Sequence, residues 1–163
     1  MPYREFGNDA NFAPEIDLPL HLEHKPVYAM PYQKFDGIYR GDTDARYLSV
    51  GLAQWGHNDL SLKVMRHTGT QWTRQAEELP LHRVFDAAIF LTKVLIDNEN
   101  NKIEIERQSF EGQNAAMQII RESLSMQDEQ YFDEYLLKYG DLLRGRIKSL
   151  YQTLDGLKTK GKL

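Results

Sequence analysis

Two runs of alternating side chains constrain this chain more than any other feature. Residues 46–55, RYLSVGLAQW, put Leu48, Val50 and Leu52 on one side of a period-2 pattern. Residues 60–67, LSLKVMRH, do the same with Leu60, Leu62 and Val64, and the turn formers Gly56-His57-Asn58-Asp59 lie between the runs. Successive side chains of a strand point to opposite faces, so the pattern predicts a β-hairpin turning at 56–59. The second face carries Tyr47, Ser49, Gly51, Ala53, Trp55, Ser61, Lys63, Met65 and His67. It is small and polar at one end and is expected to be half-covered by N-terminal chain.

The N-terminal stretch has another character. Five of the six prolines (Pro2, Pro14, Pro19, Pro26 and Pro31) fall within residues 1–31, and no period persists there. Proline fixes φ and removes a donor, which predicts extended or turning chain. Tyr3, Phe6, Phe12, Ile16, Leu18, Leu20, Leu22, Val27 and Tyr28 make it too apolar for a disordered tail. The expectation is an ordered arm over 1–31, laid on a single α+β domain over 32–163 or on a neighbouring subunit.

Thr68-Gly69-Thr70 predicts a second turn before Trp72. Pro80 suits the first turn of a helix, where its missing N–H costs nothing. Leu81, Val84, Phe85, Ala88, Leu91 and Leu95 follow, and AAIFLTKVLI after Asp86 is apolar nearly all round. Such a helix is expected to be buried on several sides. Residues 97–101 (DNENN) form a polar loop, and Ile103 and Ile105 alternate with Glu104 and Glu106 as in a short strand. Ala116, Ile120 and Leu124 suggest a helix. Another starts near Asp128 and carries Phe132, Leu136, Tyr139, Leu143, Ile147, Leu150, Leu154 and Leu157, with steps of 4, 3, 4 and 3 from Leu143 onward. Gly140-Asp141 and Gly145 leave open whether residues 128–157 are one helix or two. The fold expected is α+β: a small antiparallel sheet built on a β-hairpin, a buried central helix, and C-terminal helices packed on one face.

Composition narrows the function classes. The 163 residues are 41% apolar and 27% charged, the profile of an ordinary globular chain. The absence of cysteine removes disulfide scaffolds, thiolate metal sites and cysteine nucleophiles. No signal peptide and no membrane-length apolar run occur, which predicts a cytoplasmic protein with no membrane partner. The net charge is −4, although residues 138–163 hold seven Lys and Arg against two acids. That tail reads as a frayed, solvated helix end, and nucleic acid is not the expected partner.

The densest functional chemistry runs from Arg66 to Asp86. His82 and Asp86 are four apart on the expected helix, the arrangement of a general base with its orienting carboxylate. Arg74 and Arg83 would clamp a carboxylate or phosphate, with Glu78, His67 and Trp72 completing a ligand site. Acids and i,i+4 pairs are equally at home on an exposed first turn, which is the blander and preferred explanation. His21 and His24 form H-x-x-H beside Glu15, Asp17 and Glu23, but prolines keep that segment from being a helix. Histidines capping backbone groups are expected there rather than a metal. Asp42 and Asp44 read as a turn, since the later ligands of a calcium loop are missing. No G-x-S-x-G, phosphate-binding loop or G-x-G-x-x-G occurs, and no cofactor is expected. Tyr131, Tyr135 and Tyr139 form a stripe best explained by helix or subunit packing.

Trp72-Thr73-Arg74-Gln75-Ala76-Glu77-Glu78-Leu79-Pro80-Leu81-His82-Arg83 resembles a signature of a family of uncharacterised bacterial proteins. The resemblance covers residues 46–95. It implies a bacterial, cytoplasmic origin and no substrate or catalytic residue. The residues themselves leave two readings. The preferred one is a binding protein that forms a homodimer through its arm and C-terminal helices, with an anionic small molecule as its possible ligand. The other is a hydrolase or transferase built on His82, Asp86, Arg74 and Arg83.

Overall fold

The computed structural model describes residues 16–40 and 42–163, and the N-terminal aromatics and Glu15 lie outside them. The chain divides into two compact units, Met1–Phe85 and Asp86–Leu163.

The first unit is an antiparallel four-stranded sheet in the order β1-β2-β3-β4, comprising β1 (Lys25–Pro31), β2 (Ala45–Ala53), β3 (Gly56–Arg66) and β4 (Glu78–Pro80). The end of the proline-bearing stretch thus forms an edge strand. Pro26 and Pro31 are tolerated because an edge strand has one set of N–H groups with no ladder partner to lose. The β2–β3 hairpin forms as expected, but its turn is Gln54-Trp55, closed by the pair Ala53 and Gly56. Residues 56–59 belong to β3 instead. The register slips between Leu52 and Ala53 there, and the Trp55 indole N–H donates to Asp59 Oδ2 at 2.9 Å. Turn-forming composition here marks a bulge next to a turn.

Gly51 is required by a close approach. A Cβ at this position would lie 2.0 Å from the Lys25 carbonyl oxygen, so only glycine lets β1 pair with β2 here.

The faces of this sheet are reversed from the simple expectation. Ala45, Tyr47, Ser49, Gly51 and Ala53 of β2 are buried, together with Ser61, Lys63 and Met65 of β3. Leu48, Val50, Leu52, Leu62 and Val64 on the opposite face are only partly covered, and Leu60 is exposed. The polar face is inside because it is fully hydrogen-bonded there, as the next subsection shows.

In the second unit, Asn100 and Asn101 adopt positive φ (54° and 60°) in a two-residue turn between Glu99 and Lys102. Asparagine tolerates that left-handed conformation better than most residues. Strand β5 (Lys102–Ile105) follows, with Ile103 and Ile105 buried as the alternation implied. Its partner is β6 (Met117–Ile120), in the segment where Ala116, Ile120 and Leu124 suggested a helix. Three apolar residues at i, i+4 and i+8 are weak evidence when a strand edge is available to pair with.

The helix predicted after Pro80 is α1 (Leu81–Ile96), but none of its residues is buried, and Phe85, Phe90, Leu91 and Ile96 are exposed. The expectation of a buried central helix is therefore corrected. An all-round apolar helix needs neighbours on several sides, and a sequence pattern does not supply them. The C-terminal segment is one unbroken helix, α2 (Met126–Thr159), so Gly140 and Gly145 do not end it. Ser125 caps its start by accepting from the Asp128 N–H, and Asp128 and Glu129 occupy the first turn, where acids oppose the helix dipole.

Candidate functional site

The interior of the four-stranded sheet holds a polar cluster of five side chains drawn from four parts of the chain. His24, just before β1, is 1% exposed; Ser49, Ser61 and Lys63 are likewise buried on β2 and β3, and the Glu78 side chain of β4 is 2% exposed. The antiparallel register brings Lys63 beside Glu78, and strand alternation turns Ser49, Ser61 and Lys63 to one face.

Every polar group in the cluster has a partner. His24 Nδ1 lies 3.0 Å from Glu78 Oε1 and 3.1 Å from Ser61 Oγ, while Nε2 lies 2.8 Å from Ser49 Oγ. A nitrogen facing a carboxylate carries the proton, so Nδ1–H donates to Glu78 and Nε2 accepts from the Ser49 hydroxyl. Glu78 Oε1 also accepts from Ser61 Oγ at 2.6 Å and from the Gln54 N–H at 3.0 Å. Lys63 Nζ donates to Glu78 Oε2, Gln54 Oε1 and the Arg74 carbonyl at 3.1, 3.1 and 3.4 Å.

Burial holds the His24 pKa below its ordinary value, against the opposing pull of the Glu78 hydrogen bond and charge. Burial alone would raise Glu78. The hydrogen bonds from Ser61, the Gln54 N–H, Lys63 and His24 outweigh it and hold the carboxyl below its usual range. The cluster thus contains a neutral imidazole beside a carboxylate–ammonium pair.

Ser49, His24 and Glu78 follow the hydrogen-bond order of a serine–histidine–acid triad. Ser49 is 0% exposed, however, so its hydroxyl meets no acyl group from solvent in this structure. The arrangement ties the segment before β1 to the sheet. Satisfied buried networks specify one packing more than they add stability.

A second feature is an open depression of about 790 Å³, lined by Asp36, Asp42, Arg46, Arg66, His67 and neighbouring side chains. The Arg66 guanidinium there is engaged by Asp44 and, in two-pronged fashion, by Glu77, contacts that raise its pKa. Arg46 differs: its Nε and Nη1 are buried and have no hydrogen-bond partner among the described residues.

The residues singled out in the sequence are dispersed. Glu78 is at the centre of the buried cluster, to which Arg74 contributes only its backbone carbonyl. His67 lines the depression, its ring edge-on to Trp72 at 4.9 Å. His82 and Arg83 are exposed on α1, and the side chains of His82, Arg83 and Asp86 make no hydrogen bond or ion pair among the described residues. Of the H-x-x-H pair, His24 is buried and His21 exposed, and the described residues contain no group of three histidines or carboxylates placed to hold a metal ion. Sequence reasoning missed Ser49, Ser61, Lys63 and Gln54. The signal was the run of small and polar residues on one face of both hairpin strands.

The match to known families spans nearly all of the described chain: residues 16–159 fit the model of a family of unknown function, DUF6530. The chain belongs to this family. The matched region takes in the DUF6530 sheet, its polar interior and all of α2. No curated protein and no solved structure matches the chain. No helix among the described residues is long and apolar enough to cross a membrane.

Proposed function

We propose that this member of the DUF6530 family acts by binding rather than by catalysis, as a homo-oligomer assembled through α2. The observation that carries the reading is the apolar seam of that helix. Phe132, Leu150, Leu154 and Leu157 are exposed, and Leu136, Tyr139, Leu143 and Ile147 between them are only partly covered. A helix of this length whose apolar seam is exposed towards both ends and only partly covered at its centre gains from a partner helix, since each apolar side chain removed from water is worth about 1.5–3 kcal/mol when fully buried. The exposed Phe85, Phe90 and Leu91 of α1 are a second adhesive surface. Arg46 lines the open depression, and a guanidinium there is a group that a carboxylate or phosphate would pair with, which supports a small anionic ligand.

Size-exclusion chromatography with light scattering tests the central point. The unaltered protein is expected at the mass of two chains or more. Leu150→Glu with Leu154→Glu is expected at the mass of one, with its sheet intact by circular dichroism. A single-chain mass for the unaltered protein at micromolar concentration would overturn the reading.

A further inference from the structure

The seam of α2 has a symmetry of its own. From Phe132 to Leu154 the seam residues Phe132, Leu136, Tyr139, Leu143, Ile147, Leu150 and Leu154 are separated by steps of 4, 3, 4, 4, 3 and 4 residues, the same in either direction from Leu143; the last seam residue, Leu157, lies beyond this symmetric part, at the level of Glu129. Two helices related by a two-fold axis across their length oppose positions equally far before and after the axis. With the axis at Leu143, Phe132 meets Leu154, Leu136 meets Leu150, Tyr139 meets Ile147, and Leu143 meets its own copy. The one departure from a heptad, the double step of four, falls at the axis, so both helices unwind at the same level.

Charge along the helix is reversed between its ends. Residues 126–137 carry four acids and no base, whereas residues 138–163 carry seven bases and two acids. A parallel pair would set Asp128, Glu129, Asp133 and Glu134 against their own copies, and Arg144, Arg146 and Lys148 likewise. An antiparallel pair places Asp128 opposite Lys158 and carries Lys160 and Lys162 toward the acidic end of the partner. Like charges then meet at the level of Lys138 and Lys148, and beside the axis, where Arg144 lies close to its own copy. Repulsive juxtapositions commonly set helix orientation, because the apolar seam alone is indifferent to it.

We infer that α2 pairs antiparallel with the α2 of a second copy of this chain, with the two-fold axis at Leu143. The inference rests on the homo-oligomer reading above and adds its orientation and register.

The absence of cysteine lets single thiols report the geometry. On mild oxidation, Leu143→Cys is expected to form a covalent dimer. Phe132→Cys and Leu154→Cys are expected to stay uncrosslinked when separate and to link when the two variants are mixed. Self-linking of Phe132→Cys would show a parallel pair and overturn the inference. So would an absence of all three links in protein that still has the mass of two chains.

The unaltered protein gives an independent measurement through a zero-length carbodiimide crosslink. The expected product joins Asp128 to Lys158, which lie about 45 Å apart along one helix at 1.5 Å per residue and so react only between copies. A dimer without that product overturns the register. A single-chain mass before any crosslinking overturns the homo-oligomer reading itself, which keeps the two failures distinct.

Discussion

The two units of this chain invert each other. In the first, charged and polar side chains are inside: Lys63, Glu78 and His24 are buried while Leu60 and Leu79 face solvent. In the second, apolar side chains are outside: Leu91, Leu150 and Leu154 are exposed, and β5 contributes the buried apolar side chains Ile103 and Ile105. A buried polar cluster fixes which groups meet, because each donor has only certain acceptors within reach. An exposed apolar seam leaves its partner to be found. The sheet is thus built for a unique arrangement within one chain, whereas the exposed side chains of α2 are what the proposed association would use.

The largest effect that would sharpen this contrast is at Glu78. Glu78→Ala removes the acceptor shared by His24, Ser61, the Gln54 N–H and Lys63. Breaking a buried ion pair by removing one partner costs about 3–5 kcal/mol, so urea unfolding of the sheet is expected to shift by that amount. A shift below about 1 kcal/mol would mean that the polar interior does not hold the sheet.

Gly51→Ala comes next. Its Cβ would meet backbone atoms of Lys25 and Pro26, which have no rotamer to change. The expected cost is about 1–3 kcal/mol, the usual range for overpacking, with faster hydrogen exchange in β1 than elsewhere in the sheet. Uniform exchange across the four strands would contradict a local role for this glycine.

Acid should act on the sheet before it acts on α2. The depressed pKa of His24 means that the unfolded chain takes up its proton first, so the stability tied to a neutral His24 is complete above pH 6.5 and declines as pH falls through that value. Glu78, also depressed, adds a second loss as pH falls below 4.5. His24→Gln is expected to remove the first loss and keep the second, measured as urea midpoints across the acidic range. An unchanged profile in that variant would place the titration elsewhere.

The smallest effect is expected at Arg66. Its pairs with Asp44 and Glu77 are partly exposed, so Arg66→Ala should cost about 1 kcal/mol or less. The difference from the unaltered protein should shrink in high salt, because exposed charges are screened. A salt-independent loss would instead reveal a buried role like that of Lys63.

Much of this architecture is legible in local pattern. The alternation of 46–55 and 60–67 announced the hairpin, Ile103 and Ile105 announced β5, and the 4-and-3 spacing of leucines announced the seam of α2. The functional cluster was less legible. Glu78 and His24 were noticed for other reasons, Glu78 as part of a ligand site and His24 as half of a metal-like pair. Ser61 and Glu78 lie 37 and 54 residues from His24, and no spacing rule connects residues so far apart. The His82–Asp86 pairing followed from helix geometry alone, which places side chains on one face without making them touch.

By itself, the sequence determined the hairpin of β2 and β3, the strand β5, the helical character of α1 and α2, and how apolar residues are spaced along α2; it left open whether Gly140 breaks that helix. Only the tertiary structure decided that the polar face of the hairpin is the inner one and that residues 117–120 pair as a strand. The reason is physical. Periodicity reports that two faces differ, but the cost of burying a lysine or a glutamate depends on the partners waiting there. Those partners come from distant parts of the chain, brought together by the pairing of the strands.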